Sequence, residues 1–267
     1  MNIALAFLKK SFLIEKSYRF AFLLRLGAIF IHVLTFYFIS RLFDDRALEY
    51  LSDYNTTYFP FVLIGLALSN YLYAGLQSYS RNLRSEQMMG TLEYLFMAPL
   101  KSSTIILALA LWDFIYASIN VFVYLFCGIV FLGVAFPDAN IISVIIIFAL
   151  TIICFSGIGL VSASFIMIFK KGDPVTWIIS NISILLGGVY FPLSILPDFL
   201  KKISALIPLT YSLRALRYAV IQGYSISRIF TDIMILAVFS AILFPVGIIF
   251  FNYAIKQAKR QGTLSHY

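Results

Sequence analysis

Residues 84–99 read R-S-E-Q-M-M-G-T-L-E-Y-L-F-M-A-P. They lie between two long apolar runs, residues 58–79 and 103–132. Arg84, Glu86 and Glu93, with Arg81 and Lys101 close by, are charges that cannot face hydrocarbon, and Gly90 and Pro99 punctuate the stretch. The segment from 80 to 102 therefore reads as a soluble elbow between two membrane spans. Met88, Met89, Leu92, Leu95 and Phe96 recur at helical spacing, which predicts one or two short helices with a face to offer.

Working outward, the rest of the chain is hydrocarbon-like. Of its 267 residues 61% are hydrophobic and only 12% charged, about half the charge of an ordinary soluble domain. Apolar runs of about 20 residues recur, as a bilayer crossing requires. The spacing predicts spans over residues 20–40, 58–79, 103–132, 141–169, 175–190 and 229–255. The whole chain is read as one all-α polytopic membrane domain with six transmembrane helices. Residues 1–19 form an interfacial helix, with Ile3, Phe7, Ile14 and Tyr18 on one face and Lys9, Lys16 and Arg19 off it. Because Lys9, Lys10, Lys16 and Arg19 precede a full-length span, no cleaved signal peptide is expected.

Lys170-Lys-Gly-Asp-Pro174 reads as a tight turn, Gly172 ending one helix and Asp173 with Pro174 opening the next. Residues 192–228 are neither span nor plain loop. Residues 197–206 and 211–222 each read as a short amphipathic helix, with Pro208 as breaker, Thr210 as N-cap and Gly223 as stop. A re-entrant hairpin dipping into the outer leaflet reconciles these prolines with the cations Lys201, Lys202, Arg214 and Arg217, which then reach headgroups. With both termini inside, twelve cytoplasmic cations (Lys9, Lys10, Lys16, Arg19, Arg81, Arg84, Lys101, Lys170, Lys171, Lys256, Lys259, Arg260) stand against seven outside (Arg41, Arg46, Lys201, Lys202, Arg214, Arg217, Arg228).

The net charge of +8 follows from these basic flanks, and no aromatic-interleaved basic domain points to nucleic acid. Cys127 and Cys154 fall inside apolar runs and read as packing residues. The 27 Phe and 17 Tyr suit interfacial belts and a lipid-facing surface. There is no G-x-S-x-G, H-E-x-x-H, C-x-x-C or Walker-A sequence, and His32 and His266 are far apart, so no catalytic or metal site and no bound cofactor is expected.

Arg25, Asp113 and Asn120 are the principal polar residues inside the spans, beside His32, Asn181 and Asp232. Arg25 and His32 share one face of the first span; Asp113, Tyr116 and Asn120 share one face of the third. Buried charges seek partners, so Arg25 and Asp113 are expected close together. Gly159 and Ala163 form a small-xxx-small pair suited equally to packing within the chain or to a subunit interface.

Two motif groups carry a resemblance. Glu86…Gly90-Thr91-Leu92-Glu93…Pro99 is similar to the cytoplasmic elbow of type-2 ABC-transporter permeases. The second is Tyr190-Phe191-Pro192, Leu196-Pro197, Pro208-Leu209-Thr210-Tyr211 and Leu216-Arg217. The resemblance implies that Glu86, Gly90, Thr91, Leu92, Glu93 and Pro99 belong to a coupling helix docked on a separate ATPase subunit, which holds the ATP and Mg. It implies too that Tyr190, Phe191, Pro192, Pro197, Pro208, Tyr211 and Arg217 cap the exit as an outer gate. On this reading two permease copies in a prokaryotic cytoplasmic membrane, termini inside, export an amphipathic or lipid-linked substrate: a drug, a peptide or a glycan-lipid. An ion-coupled secondary transporter would show repeated halves with broken helices, and a membrane enzyme a catalytic constellation; the sequence shows neither.

Overall fold

The computed structural model describes residues 3–42, 46–169 and 174–261, and among them only helices and turns occur. A 15-residue helix α1 (Ile3–Ser17) meets α2 (Arg19–Ser40) at Tyr18. A short α3 (Arg46–Leu51) and a 3₁₀ turn at Ser52–Tyr54 lead into α4 (Tyr58–Met88). Then come α5 (Leu92–Met97), α6 (Ser102–Leu132), α7 (Ile141–Phe169) and α8 (Pro174–Leu186). A 3₁₀ turn at Leu193–Ile195, α9 (Asp198–Ser204), α10 (Pro208–Ile221) and α11 (Phe230–Arg260) complete the fold.

Five of the described helices are long and apolar enough to cross a membrane: α2, α4, α6, α7 and α11. The expected fifth span is shorter than the sequence suggests. It yields α8, whose 13 residues at 1.5 Å each extend about 20 Å, against about 30 Å of hydrocarbon. Gly188 at φ +85° then turns the chain into the 3₁₀ turn and the α9–α10 hairpin.

The core is built on α4. Val62, Leu63, Leu68, Leu72 and Leu76 are fully enclosed on this helix, which packs against α6, α7, α8, α10 and α2. By contrast α2 exposes Phe20, Leu23, Leu24, Ile31 and Phe38, a lipid-suited flank. On α7 the small residues bring backbones together inside the chain. A Cβ on Gly159 would lie 1.9 Å from the Gly75 carbonyl oxygen of α4, and one on Gly157 would lie 2.4 Å from the Leu243 backbone of α11. Ala163 is likewise fully enclosed, so the small-residue stripe serves packing within the chain.

Three features differ from expectation. Helix α4 runs on to Met88, past residue 80 where the elbow is expected to start, because no Gly or Pro interrupts residues 79–88. The break is Gly90 at φ +70°, where Gly90 N–H donates to the Gln87 carbonyl and Thr91 N–H to the Glu86 carbonyl, both at 3.0 Å. Only glycine adopts that left-handed closing position without strain. Thr210 does not cap α10: Pro208 opens that helix, Ile207 holds the N-cap place, and the Thr210 hydroxyl donates to the Ser204 carbonyl at 2.8 Å. The hairpin is not an amphipathic pair lying in headgroups. Helix α10 is buried against α7, α11, α4 and α8, and only α9 keeps its apolar residues Phe199 and Ile203 exposed. Gly223, at φ +64°, follows the end of α10 as expected. The turn at residues 170–173 and His266 lie outside the described residues.

Candidate functional site

The elbow is held from behind and open in front. Glu86, on the last turn of α4, is 4% exposed. Its Oε1 accepts from Lys10 Nζ of α1 at 2.5 Å, and its Oε2 accepts from the Thr91 hydroxyl at 2.5 Å. One carboxylate thus ties the N-terminal helix to the elbow and closes the end of α4. Leu92 and Phe96 point into the core on α5, and Lys259 of α11 donates to the Phe96 carbonyl at 3.0 Å while lying over its ring. With these anchors behind it, the short α5 presents Tyr94 and Met97 outward, 77% and 75% exposed, next to Met88 at 79% and Met89. Pro99 and Leu100 continue the exposed edge, and Glu93 is half-buried. Six residues make too short a helix to stand alone, so tertiary anchoring fixes α5.

Of the expected coupling residues, then, Gly90, Thr91 and Pro99 lie at the exposed surface, whereas Glu86 and Leu92 face inward. The sequence could not give Glu86 its partner, because Lys10 lies 76 positions away.

Beside the elbow a groove of about 920 Å³ runs between α4 and α8, lined by Tyr73, Gln77, Arg81, Arg84, Trp177 and Asn181 among others. It joins an aromatic wall to two guanidinium groups. Arg81 also lies 3.5 Å from the Asp113 carboxylate, which accepts from Asn82 Nδ2 at 2.6 Å.

That pairing corrects the expectation for Arg25. Among the described residues no ion pair joins it to Asp113; its guanidinium lies 4.4 Å from the centroid of the Tyr116 ring, one turn further along α6. The cation is met by an aromatic face, and the carboxylate by α4. Asn120 is half-buried on the same helix. His32 is 2.9 Å from the Tyr124 hydroxyl, and Asn181 donates to the Trp177 carbonyl at 2.7 Å.

At the opposite end, the residues singled out around the hairpin are drawn together, but not as a headgroup-facing cluster. Tyr190 stacks on Phe36 of α2 with ring centroids 5.5 Å apart, and Pro192 and Pro208 are buried. The Tyr211 hydroxyl donates to the Ala205 carbonyl at 2.8 Å, locking the turn between α9 and α10. Pro197 is exposed at the start of α9.

Arg217, only 2% exposed, donates to the Phe61 carbonyl at 3.2 and 3.1 Å and to the Val189 carbonyl at 3.2 Å, and its guanidinium lies 3.4 Å from the centroid of the Phe61 ring. It pins together the head of α4, the chain after α8, and α10. Arg214 grips Asp232 of α11 through both carboxylate oxygens. Arg217 does not face headgroups, since a set of carbonyls satisfies it inside the protein, and the half-exposed Arg214 is held by a counter-charge. Lys201 and Lys202 do remain exposed. In the 3₁₀ turn, burial pushes the Tyr54 hydroxyl above its usual range against the opposing pull of Arg217.

No group of three or more metal-ligating side chains occurs among the described residues. Comparison with protein families matches residues 4–221 to the family described as ABC-2 type transporter, and no curated protein matches the chain.

Proposed function

The chain belongs to the ABC-2 type transporter family, as an integral membrane permease subunit, and on that footing we propose that it forms, with a second copy, the pathway of an ATP-driven exporter powered by a separate ATPase subunit. The observation that carries this reading is the elbow's outward apolar face, Met88, Met89, Tyr94 and Met97, on a short helix braced from behind. Exposed aromatic and Met side chains on a rigid support suit a protein partner. Within the expected coupling set, Gly90, Thr91, Glu93 and Pro99 frame the docking face, while Glu86 and Leu92 hold it in place. ATP and Mg then belong to the partner, and this subunit supplies no catalytic group.

The elbow end accordingly faces the cytoplasm. Lys10 of α1 and Lys259 of α11 both lie at that end, which agrees with cytoplasmic termini in a prokaryotic inner membrane. The groove between α4 and α8 forms half of the pathway, which the second copy closes. Its mixed aromatic and cationic wall suits an amphipathic or lipid-linked substrate. The hairpin, with Tyr190, Phe191 and the Arg217 pin, serves as the outer gate, and export is its direction by analogy with the resembled permeases.

Co-expression with the candidate ATPase tests this. Tyr94→Asp and Met97→Asp should each lower recovery of the ATPase with the permease at least tenfold, with the permease still folded in the membrane. Glu93→Lys should uncouple transport from ATP hydrolysis. Normal ATPase recovery by the double Tyr94→Asp, Met97→Asp variant would defeat the docking assignment.

A further inference from the structure

A second hollow lies well apart from that groove, at the corner where α1 turns into α2. It measures about 440 Å³, within the 300–1,000 Å³ of about small-molecule size. Trp112, Tyr116 and Ile119 of α6 form its floor, spaced to lie along one side of that helix. Phe12, Glu15 and Lys16 of α1 form one wall, and Arg19, Phe22 and Leu23 of α2 the other. The surface inside is almost wholly apolar, so Lys16 and Arg19 contribute their stems and carry their heads at the rim.

Two observations point to what fills it. First, the rim holds two cations, Lys16 and Arg19, and among the described residues neither has an ion-pair partner. Second, the first turn of α2 forms part of the wall, and its N-cap residue, Tyr18, makes no side-chain capping bond. The first N–H groups of a helix lack intrahelical acceptors, an arrangement that favours an anion. An apolar slot beneath a cationic rim, at the level where a basic helix meets a membrane span, matches one class of molecule on both counts.

We infer that this hollow is a binding site for an anionic glycerophospholipid, with one acyl chain in the slot over Trp112, Tyr116 and Ile119 and the headgroup phosphate held between Lys16, Arg19 and the start of α2. The lipid wedges the corner of α1 against α6, where Phe12 and Trp112 already meet edge-on with ring centroids 5.8 Å apart. The same 15-residue helix carries Lys10, bonded to Glu86 at the elbow. A lipid seated at one end of α1 therefore fixes the helix that braces the other.

Tryptophan placement makes the site readable. The chain has two tryptophans, Trp112 in the slot and Trp177 in the groove. In Trp177→Phe protein, reconstituted in phosphatidylcholine nanodiscs, Trp112 reports alone. Phosphatidylglycerol brominated on its acyl chains should quench its fluorescence at a several-fold lower mole fraction than equally brominated phosphatidylcholine. With each near-surface cation contributing about fivefold in affinity, the added double substitution Lys16→Ala, Arg19→Ala should abolish that preference. Ile119→Trp is unsuitable as it adds a fluorophore; Ile119→Phe, which fills the slot, should reduce quenching by both lipids. Unlabelled phosphatidylglycerol should raise the thermal unfolding midpoint of the parent protein and leave that of the double variant unmoved. Identical quenching curves for the two lipids, or a preference that survives removal of both cations, would overturn the site.

Discussion

Asp232→Asn keeps the shape of the carboxylate but removes the counter-charge of Arg214. The pair is intermediate between a surface and a buried bridge, Arg214 being 37% and Asp232 8% exposed at the side chain, so solvent screens part of it. We expect a loss of about 2 kcal/mol, between the surface and the fully buried values. A double substitution, Arg214→Gln with Asp232→Asn, should recover much of it, because no lone charge is left behind. Thermal unfolding in detergent checks both, and a double variant no better than the sum of its singles would show that the two side chains do not act as a pair. At this scale the sequence is legible for residue type and not for partner. Asp232 and Arg25 stand out as intramembrane charges, but what satisfies each sits on another helix. Arg217 illustrates the limit: it reads as a surface cation on an amphipathic helix, and its acceptors are carbonyls 156 and 28 positions distant.

Among the elements, α4, α6, α7 and α11 were evident from their apolar runs, because hydrocarbon demands length and apolarity and both are written locally. The length of α8 and the depth of α10 were not, because they depend on what the hairpin packs against. Ser204 donates to the last-turn carbonyl of Leu186 at 2.6 Å, so the hairpin seals the end of α8, and no local periodicity encodes that contact. The elbow was legible as an elbow, but which of its residues face out was settled by Lys10 and Lys259. A glycine pair separates the elements further. Gly159→Ala meets the Gly75 carbonyl and must force α7 from α4, at a cost of about 1–3 kcal/mol in stability. Gly27→Ala, with nothing within 4 Å of its new Cβ, should be neutral or stabilise α2 by up to about 1 kcal/mol. Equal unfolding midpoints for the two variants would contradict the close approach of α4 and α7.

For the whole molecule, the two ends described above should lie on opposite sides of the membrane. Cys127 and Cys154 are both buried, so the background to surface labelling is low. Lys202→Cys, at the exposed hairpin, should react with a membrane-impermeant maleimide added to intact cells. Met88→Cys, at the elbow, should react only after the cells are opened. The reverse pattern would invert the topology and, with it, the side from which an ATPase engages. The Lys/Arg bias of the loops favours this orientation, and the burial of Arg217 removes one of the cations that spoke against it.

Where α4 meets α7 at Gly75 and Gly159, and α7 meets α11 at Gly157 and Gly247, main chain rests on main chain. There is no layer of side chains there to change rotamer, and so nothing to absorb sliding. These three helices should behave as a stiff frame, in the way a door frame does, and α2 and the short α8 are hung on it through side chains. A working stroke begun at the elbow then cannot spread by shear between α4, α7 and α11. On the proposed coupling it must travel down α4 as a rigid tilt and appear as displacement of α8 and the Arg217 pin.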